Sequence, residues 1–166
     1  MTCCKEIPVL PLNLPLSELK RLEFFYKSAK RKVFINRYNL QNWFSLSFVD
    51  NEVESNIVQN FPSLKKWCDD IKKSEFKGVR SSYLSVLEPK SSIPWHKDQS
   101  TDTFCEAFLT SIKTDKSFIE FRNDKKYTYK TGRSYVIRSA VEHRILNLSE
   151  ELRYTLCTVT LENPYV

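Results

Sequence analysis

Glycine is nearly missing from this sequence, with two residues in 166. Loops that wrap phosphates need glycine at several fixed positions. No G-x-G-x-x-G or P-loop pattern is present, so nucleotide binding of that kind is excluded. Histidine is equally scarce, again two residues. Long apolar runs are also lacking, and none approaches the ~20 residues needed to span a bilayer. No basic segment followed by an apolar core opens the chain, so a secretory signal is not expected. The five cysteines are odd in number and scattered, apart from Cys3-Cys4. They read as reduced thiols of a cytoplasmic protein.

Aromatic residues are abundant, at 13% of the chain, and the net charge is +6. The positive surplus leans to the first half, with 13 basic against 9 acidic residues before Val79. Its densest part is Lys20, Arg21, Lys27, Lys30, Arg31, Lys32 and Arg37. A solvated helix face accounts for such a group. So does a patch for an acidic protein or a nucleic acid, which leaves nucleic acid open as a partner of this N-terminal helix.

The length suits a single domain, 1–166, with supporting elements over 1–78 and a catalytic core over 79–162. Pro8, Pro11 and Pro15 make the first 16 residues an extended arm lying on the core. Leu19, Leu22, Phe25, Tyr26 and Ala29 recur at helical spacing, which predicts an amphipathic helix over 17–31 with Ser17 as its cap. Residues 33–49 suit one or two short strands. Asp50 is placed to cap a short helix near 52–60. Pro62 suits the first turn of another helix, whose buried face is Leu64, Trp67, Cys68 and Ile71.

Beyond Gly78 the helical period stops. Strand-like segments follow at 79–88, 92–98, 103–112, 117–122, 126–130, 134–138, 141–148 and 152–161, separated by turn residues. Eight antiparallel strands in so short a span predict a double-stranded β-helix, or jelly roll, with the N-terminal helices covering one sheet from outside.

Both histidines fall in this region. His96 and Asp98 sit two apart on the second segment, so strand alternation aims them the same way. His143 lies on the seventh segment, which in a jelly roll neighbours the second. Two imidazoles and a carboxylate on one face of a metal form the ligand set of non-haem Fe(II) oxygenases. Arg153 follows on the eighth segment, with Thr155 on the same strand face. Trp95, Phe104, Phe108 and Tyr135 are candidates to line or support the pocket.

This constellation resembles the Fe(II)- and 2-oxoglutarate-dependent dioxygenases. The run Gly132-x-x-Tyr135-x-Ile137, His143-x-x-x-Asn147 and Arg153 is most similar to their aspartyl/asparaginyl and prolyl hydroxylase branches. Some aspartyl hydroxylases lack the acidic ligand, whereas Asp98 is present here. The resemblance implies that His96, Asp98 and His143 bind iron and that Arg153 pairs with the distal carboxylate of 2-oxoglutarate. Thr155 would assist, and Tyr83 on the first strand is a further candidate for a cosubstrate hydrogen bond. The implied reaction consumes O2 and 2-oxoglutarate, releases succinate and CO2, and hydroxylates a protein side chain or a small molecule such as an amino acid.

Three other readings stay open at this point. One is a dioxygenase acting on a nucleic-acid base or nucleotide. Another is a cupin-type metal enzyme without 2-oxoglutarate, although such sites use more histidine than this chain contains. The third is a non-catalytic binding module on the same scaffold.

Overall fold

A computed structural model describes residues 3–36, 40–98, 107–122 and 125–165. Arg37, Phe104, residues 100–102 and Asn123-Asp124 lie outside the described residues, as do the side chains of Lys30, Arg31 and Lys32.

The arm forms a short strand, β1 (Cys4–Ile7), and then runs on without regular structure. Helix α1 (Leu16–Val33) follows, then β2 (Ile35–Asn36), β3 (Trp43–Asp50) and β4 (Val53–Glu54). A 3-10 turn at Asn56–Asn60 leads into α2 (Pro62–Lys72). The remaining strands are β5 (Val79–Leu87), β6 (Ser91–His96), β7 (Ala107–Lys113), β8 (Ser117–Phe121), β9 (Lys126–Thr128), β10 (Ser134–Ile137), β11 (His143–Asn147) and β12 (Arg153–Thr160).

Strands β5 to β12 match the eight segments expected from the sequence, and they form a double-stranded β-helix. The larger sheet runs β1-β10-β7-β12-β5-β3-β2, with β4 paired to β3, and the smaller runs β6-β11-β8-β9. The strands pair antiparallel, including β6 with β11 and β5 with β12. One apolar cluster lies between the sheets and includes Leu87, Ile93, Ile119, Phe121 and Ile145. A second joins the helices to the outer face of the larger sheet, through Leu22, Tyr26, Leu64, Trp67, Leu84 and Phe108. The helices therefore cover one sheet from outside, as their single apolar stripes require.

Local details differ from expectation near the N-terminus. Helix α1 begins at Leu16 behind Pro15, with no side-chain cap, so Ser17 lies inside its first turn. Asp50 does not cap a helix, because β3 and β4 form a hairpin there. Its two loop residues, Asn51 and Glu52, have φ of 47° and 68°, the left-handed pair that a tight hairpin turn demands. Ser55 is the cap instead, accepting from the Ile57 N–H. Helix α2 starts at Pro62 and buries Leu64, Trp67, Cys68 and Ile71, as the spacing predicts.

The arm is held by Gly132. The Leu12 N–H donates to the Gly132 carbonyl at 2.9 Å. Gly132 has φ +80°, and a Cβ there would lie 2.5 Å from Asn13 Oδ1. Glycine is required by conformation and by space together.

Candidate metal and cosubstrate site

Strands β6 and β11 bring the two histidines together. His96 and His143 are directly paired in the ladder, and their ring centroids are 4.3 Å apart. A bulge makes this possible. Between the pairs His143–His96 and Ile145–Ile93, β6 carries one residue more than β11. Ile93 and His96 can then both face the interior although three positions separate them. Pro94, which has no N–H to give to a ladder, sits in the bulge.

The bulge also corrects the expectation for Trp95. It lies outside the cavity lining and packs against two guanidinium groups, with Arg122 Cζ at 5.0 Å and Arg144 Cζ at 4.9 Å from its ring centre. Arg122 is ion-paired with Glu142 and Arg144 with Glu120. Phe108 is also no part of the lining, since it packs on Trp67 and Phe76 beneath the helices. Its neighbour Leu109 faces the cavity. Tyr135 supports from behind, with its ring 5.1 Å from that of Tyr129.

Strand β6 ends at His96, so ladder alternation does not place Asp98. Its N–H instead donates to the Ser139 carbonyl at 3.0 Å. The carboxylate then stands between the imidazoles, with Oδ1 3.7 Å from His96 Nε2 and Oδ2 3.8 Å from His143 Nε2. These gaps are too long for hydrogen bonds. One ligand atom from each residue lies within 4.8 Å of the others, a grouping able to hold a metal ion.

Both imidazoles are oriented by backbone. His96 Nδ1 lies 2.8 Å from the Pro94 carbonyl, and His143 Nδ1 lies 2.9 Å from the Val141 carbonyl. A proton on Nδ1 satisfies each carbonyl and leaves each Nε2 lone pair facing Asp98, the arrangement common to metal-binding histidines. Burial lowers the pKa of His143 below its ordinary value and favours the neutral form a metal requires.

His96, Asp98 and His143 share one cavity with Tyr83, Arg153 and Thr155, so the structure brings all six sequence-predicted site residues together. Arg153 and Thr155 line it from β12 and are each 2% exposed. Arg153 Nε and Nη2, Thr155 Oγ1 and the Tyr129 hydroxyl are buried without a hydrogen-bond partner among the described residues. Burial pulls the Arg153 pKa down from its usual value and pushes that of Tyr129 up. Arg153 Cζ lies 5.4 Å from the centre of the Tyr129 ring.

Sequence reasoning does not single out Tyr129. Strand alternation does not place it, because β9 ends at Thr128. Trp43 also escapes it. This residue lines the cavity from β3, and its indole N–H donates to Ser85 Oγ at 2.9 Å.

The donor set fits iron with 2-oxoglutarate. Two neutral imidazoles and a carboxylate suit Fe(II). A buried cation and the unpaired Thr155 hydroxyl in one cavity suit a carboxylate brought in by a ligand.

The basic helix lies on the far side of the larger sheet from this cavity. There Lys27 is ion-paired with Glu23, and Arg21 donates to the Asn60 carbonyl. Cys3, Cys4, Cys68 and Cys157 are buried. Among the described residues, no helix is long and apolar enough to cross a membrane.

Comparison with solved structures shows the same fold. A 2OG-Fe(II) oxygenase family oxidoreductase from Burkholderia pseudomallei aligns with TM-score 0.56 and 11% identity, over 95% of this chain and 84% of its own. A prolyl hydroxylase from Trichoplax adhaerens, in complex with a hypoxia inducible factor oxygen degradation domain peptide fragment, aligns with TM-score 0.59 and 11% identity, over 95% and 83%. The viral collagen prolyl hydroxylase of Paramecium Bursaria Chlorella virus-1, in a 2OG complex, aligns with TM-score 0.53 and 12% identity, over 96% of both chains. No curated protein gives a significant match. The aspartyl/asparaginyl beta-hydroxylase family model matches residues 16–163, nearly the whole of the fold described above, and the chain belongs to that family.

Proposed function

We propose that this protein is an Fe(II)- and 2-oxoglutarate-dependent dioxygenase that hydroxylates a protein or amino-acid side chain. His96, Asp98 and His143 hold the iron. Arg153, with Thr155, holds the distal carboxylate of 2-oxoglutarate, and the Tyr129 ring backs the guanidinium. Tyr83 contributes to the wall of the same cavity. When bound, iron and 2-oxoglutarate supply the oxidative chemistry, and O2 is the oxidant.

The carrying observation is the unpaired cation. A buried guanidinium without an anionic partner is costly, and among the described residues nothing satisfies two nitrogens of Arg153 in the cavity that holds the His-Asp-His group. A dianionic ligand reaching from the metal to Arg153 would remove that cost. The protein's own part is to fix the imidazoles through Pro94 and Val141, to seat the carboxylate, and to exclude water with Trp43, Leu109 and Ile145. Family membership and the fold shared with prolyl hydroxylases support a polypeptide side chain as substrate.

The test is Fe(II)-dependent conversion of 2-oxoglutarate to succinate by the purified protein, with Mn(II) binding measured in parallel. His143→Ala and Asp98→Ala should each lose metal binding and turnover. Arg153→Ala should keep metal binding and lose 2-oxoglutarate saturation. Full succinate production by His143→Ala would refute the metal assignment.

A further inference from the structure

The fold contains a buried asparagine that the site does not use directly. Asn147 ends β11 and is fully buried. Its side-chain amide donates to three carbonyls: Leu87 at 3.2 Å, Glu88 at 3.0 Å and Glu151 at 2.8 Å. Its Oδ1 accepts from the Ser149 N–H and hydroxyl, at 3.2 Å and 2.7 Å. One side chain thus joins the end of β5, the end of β11 and the turn that enters β12.

Arg153 is the first residue of β12 after that turn, and it pairs with Leu87 in the ladder. Two of its side-chain nitrogens have no partner among the described residues. Its guanidinium rests against the Tyr129 ring, a contact that is broad and only weakly directional. The aim of the guanidinium therefore depends on where the backbone at 151–153 is held. Asn147 holds it from both sides, through Leu87 opposite Arg153 and Glu151 two residues before it.

We infer that Asn147 is the positioning residue for Arg153, setting in advance the carboxylate-binding geometry of the cosubstrate pocket. This rests on the assignment of Arg153 as the carboxylate anchor. The metal ligand His143 stands at the opposite end of β11, so the two halves of the site have separate supports.

The test measures 2-oxoglutarate binding to the Mn(II)-loaded protein by calorimetry, together with Mn(II) affinity, the succinate-forming kcat and KM for 2-oxoglutarate, and the melting temperature. Asn147→Ala should weaken 2-oxoglutarate binding by roughly tenfold to a hundredfold, the scale expected of a misplaced binding group. Mn(II) affinity should stay within about twofold, since no ligand moves. Asn147→Asp keeps the acceptor but loses the donations to carbonyls, and it should behave in the same way. Ser149→Ala removes a hydroxyl that bonds both Asn147 Oδ1 and the Glu151 backbone but leaves the Asn147 amide in place, so a smaller shift of the same kind is expected. It also keeps the inference testable should the Asn147 variants fail to fold. Leu22→Ala, in the apolar cluster under the helices, controls for lost stability and should leave 2-oxoglutarate binding unchanged.

Asn147 variants that bind 2-oxoglutarate like the native protein would overturn the inference, as would Leu22→Ala producing an equal loss. An Arg153→Ala protein with undiminished 2-oxoglutarate binding would instead refute the assignment of Arg153 itself.

Discussion

Replacing Arg153 with methionine should stabilise the ligand-free protein while removing most of its response to 2-oxoglutarate. The side chain is 2% exposed and lacks an anionic partner among the described residues. Withdrawing such a cation from water costs several kcal/mol. The Tyr129 face, 5.4 Å away, returns about 2 kcal/mol at a desolvated site. Methionine fills similar space without a charge and adapts to irregular gaps. The expected net gain is about 2 kcal/mol, inside the range of roughly 1–4 kcal/mol seen when buried ionic groups give way to apolar ones. In a chain of this length that raises the melting temperature by about 4–8 °C. Ligand reverses the order. At a hundredfold excess over its dissociation constant, 2-oxoglutarate adds about 2.7 kcal/mol to the native protein. The variant should keep only the part due to metal chelation. Thermal unfolding with Mn(II), with and without 2-oxoglutarate, reads both effects. A variant that melts below the native protein without ligand would show that Arg153 is already satisfied, and the argument from an unpaired cation would fall.

Three further outcomes are expected. Thr155→Val should raise the 2-oxoglutarate concentration for half-maximal succinate formation by about threefold to tenfold, the worth of one hydrogen bond, with little change in melting temperature. Trp95→Ala should lower stability by about 1 kcal/mol through two lost cation–π contacts and leave 2-oxoglutarate saturation unchanged, and a large change there would return Trp95 to the pocket. Glu54→Gln tests an ion-pair cluster at α2, where hydrogen bonding to Lys72 is the main cause holding the Glu54 carboxyl below its ordinary pKa. A depressed carboxylate stabilises the fold above the unfolded value of about 4.3 and loses that contribution as pH falls through the folded value. The variant should thus be less stable than the native protein at neutral pH and equal to it in strong acid, as read by urea unfolding across pH.

Much of this architecture was legible from local periodicity. The stripe of α1, the Pro62 start of α2 and the eight strand segments all follow from side-chain spacing, because burial of one face imposes a period on any helix or strand. The His96-Asp98-His143 group was legible because histidine is so rare that the two present could be paired without competitors. Strand alternation put Thr155 on the same face as Arg153.

Other features required long-range pairing. Ile93 is interior, and unbroken alternation from it would turn Trp95 inward. The register of β6 against β11 creates the bulge that turns Trp95 out and His96 in. Asp98 lies past the end of β6, so its place depends on Ser139, 41 positions downstream by sequence number. The clamp at Asn147 joins residues from three segments. Spacing within one segment determines which face a side chain takes. Which partner that face meets is decided by hydrogen bonds between segments, and these exist only once the sheets have formed.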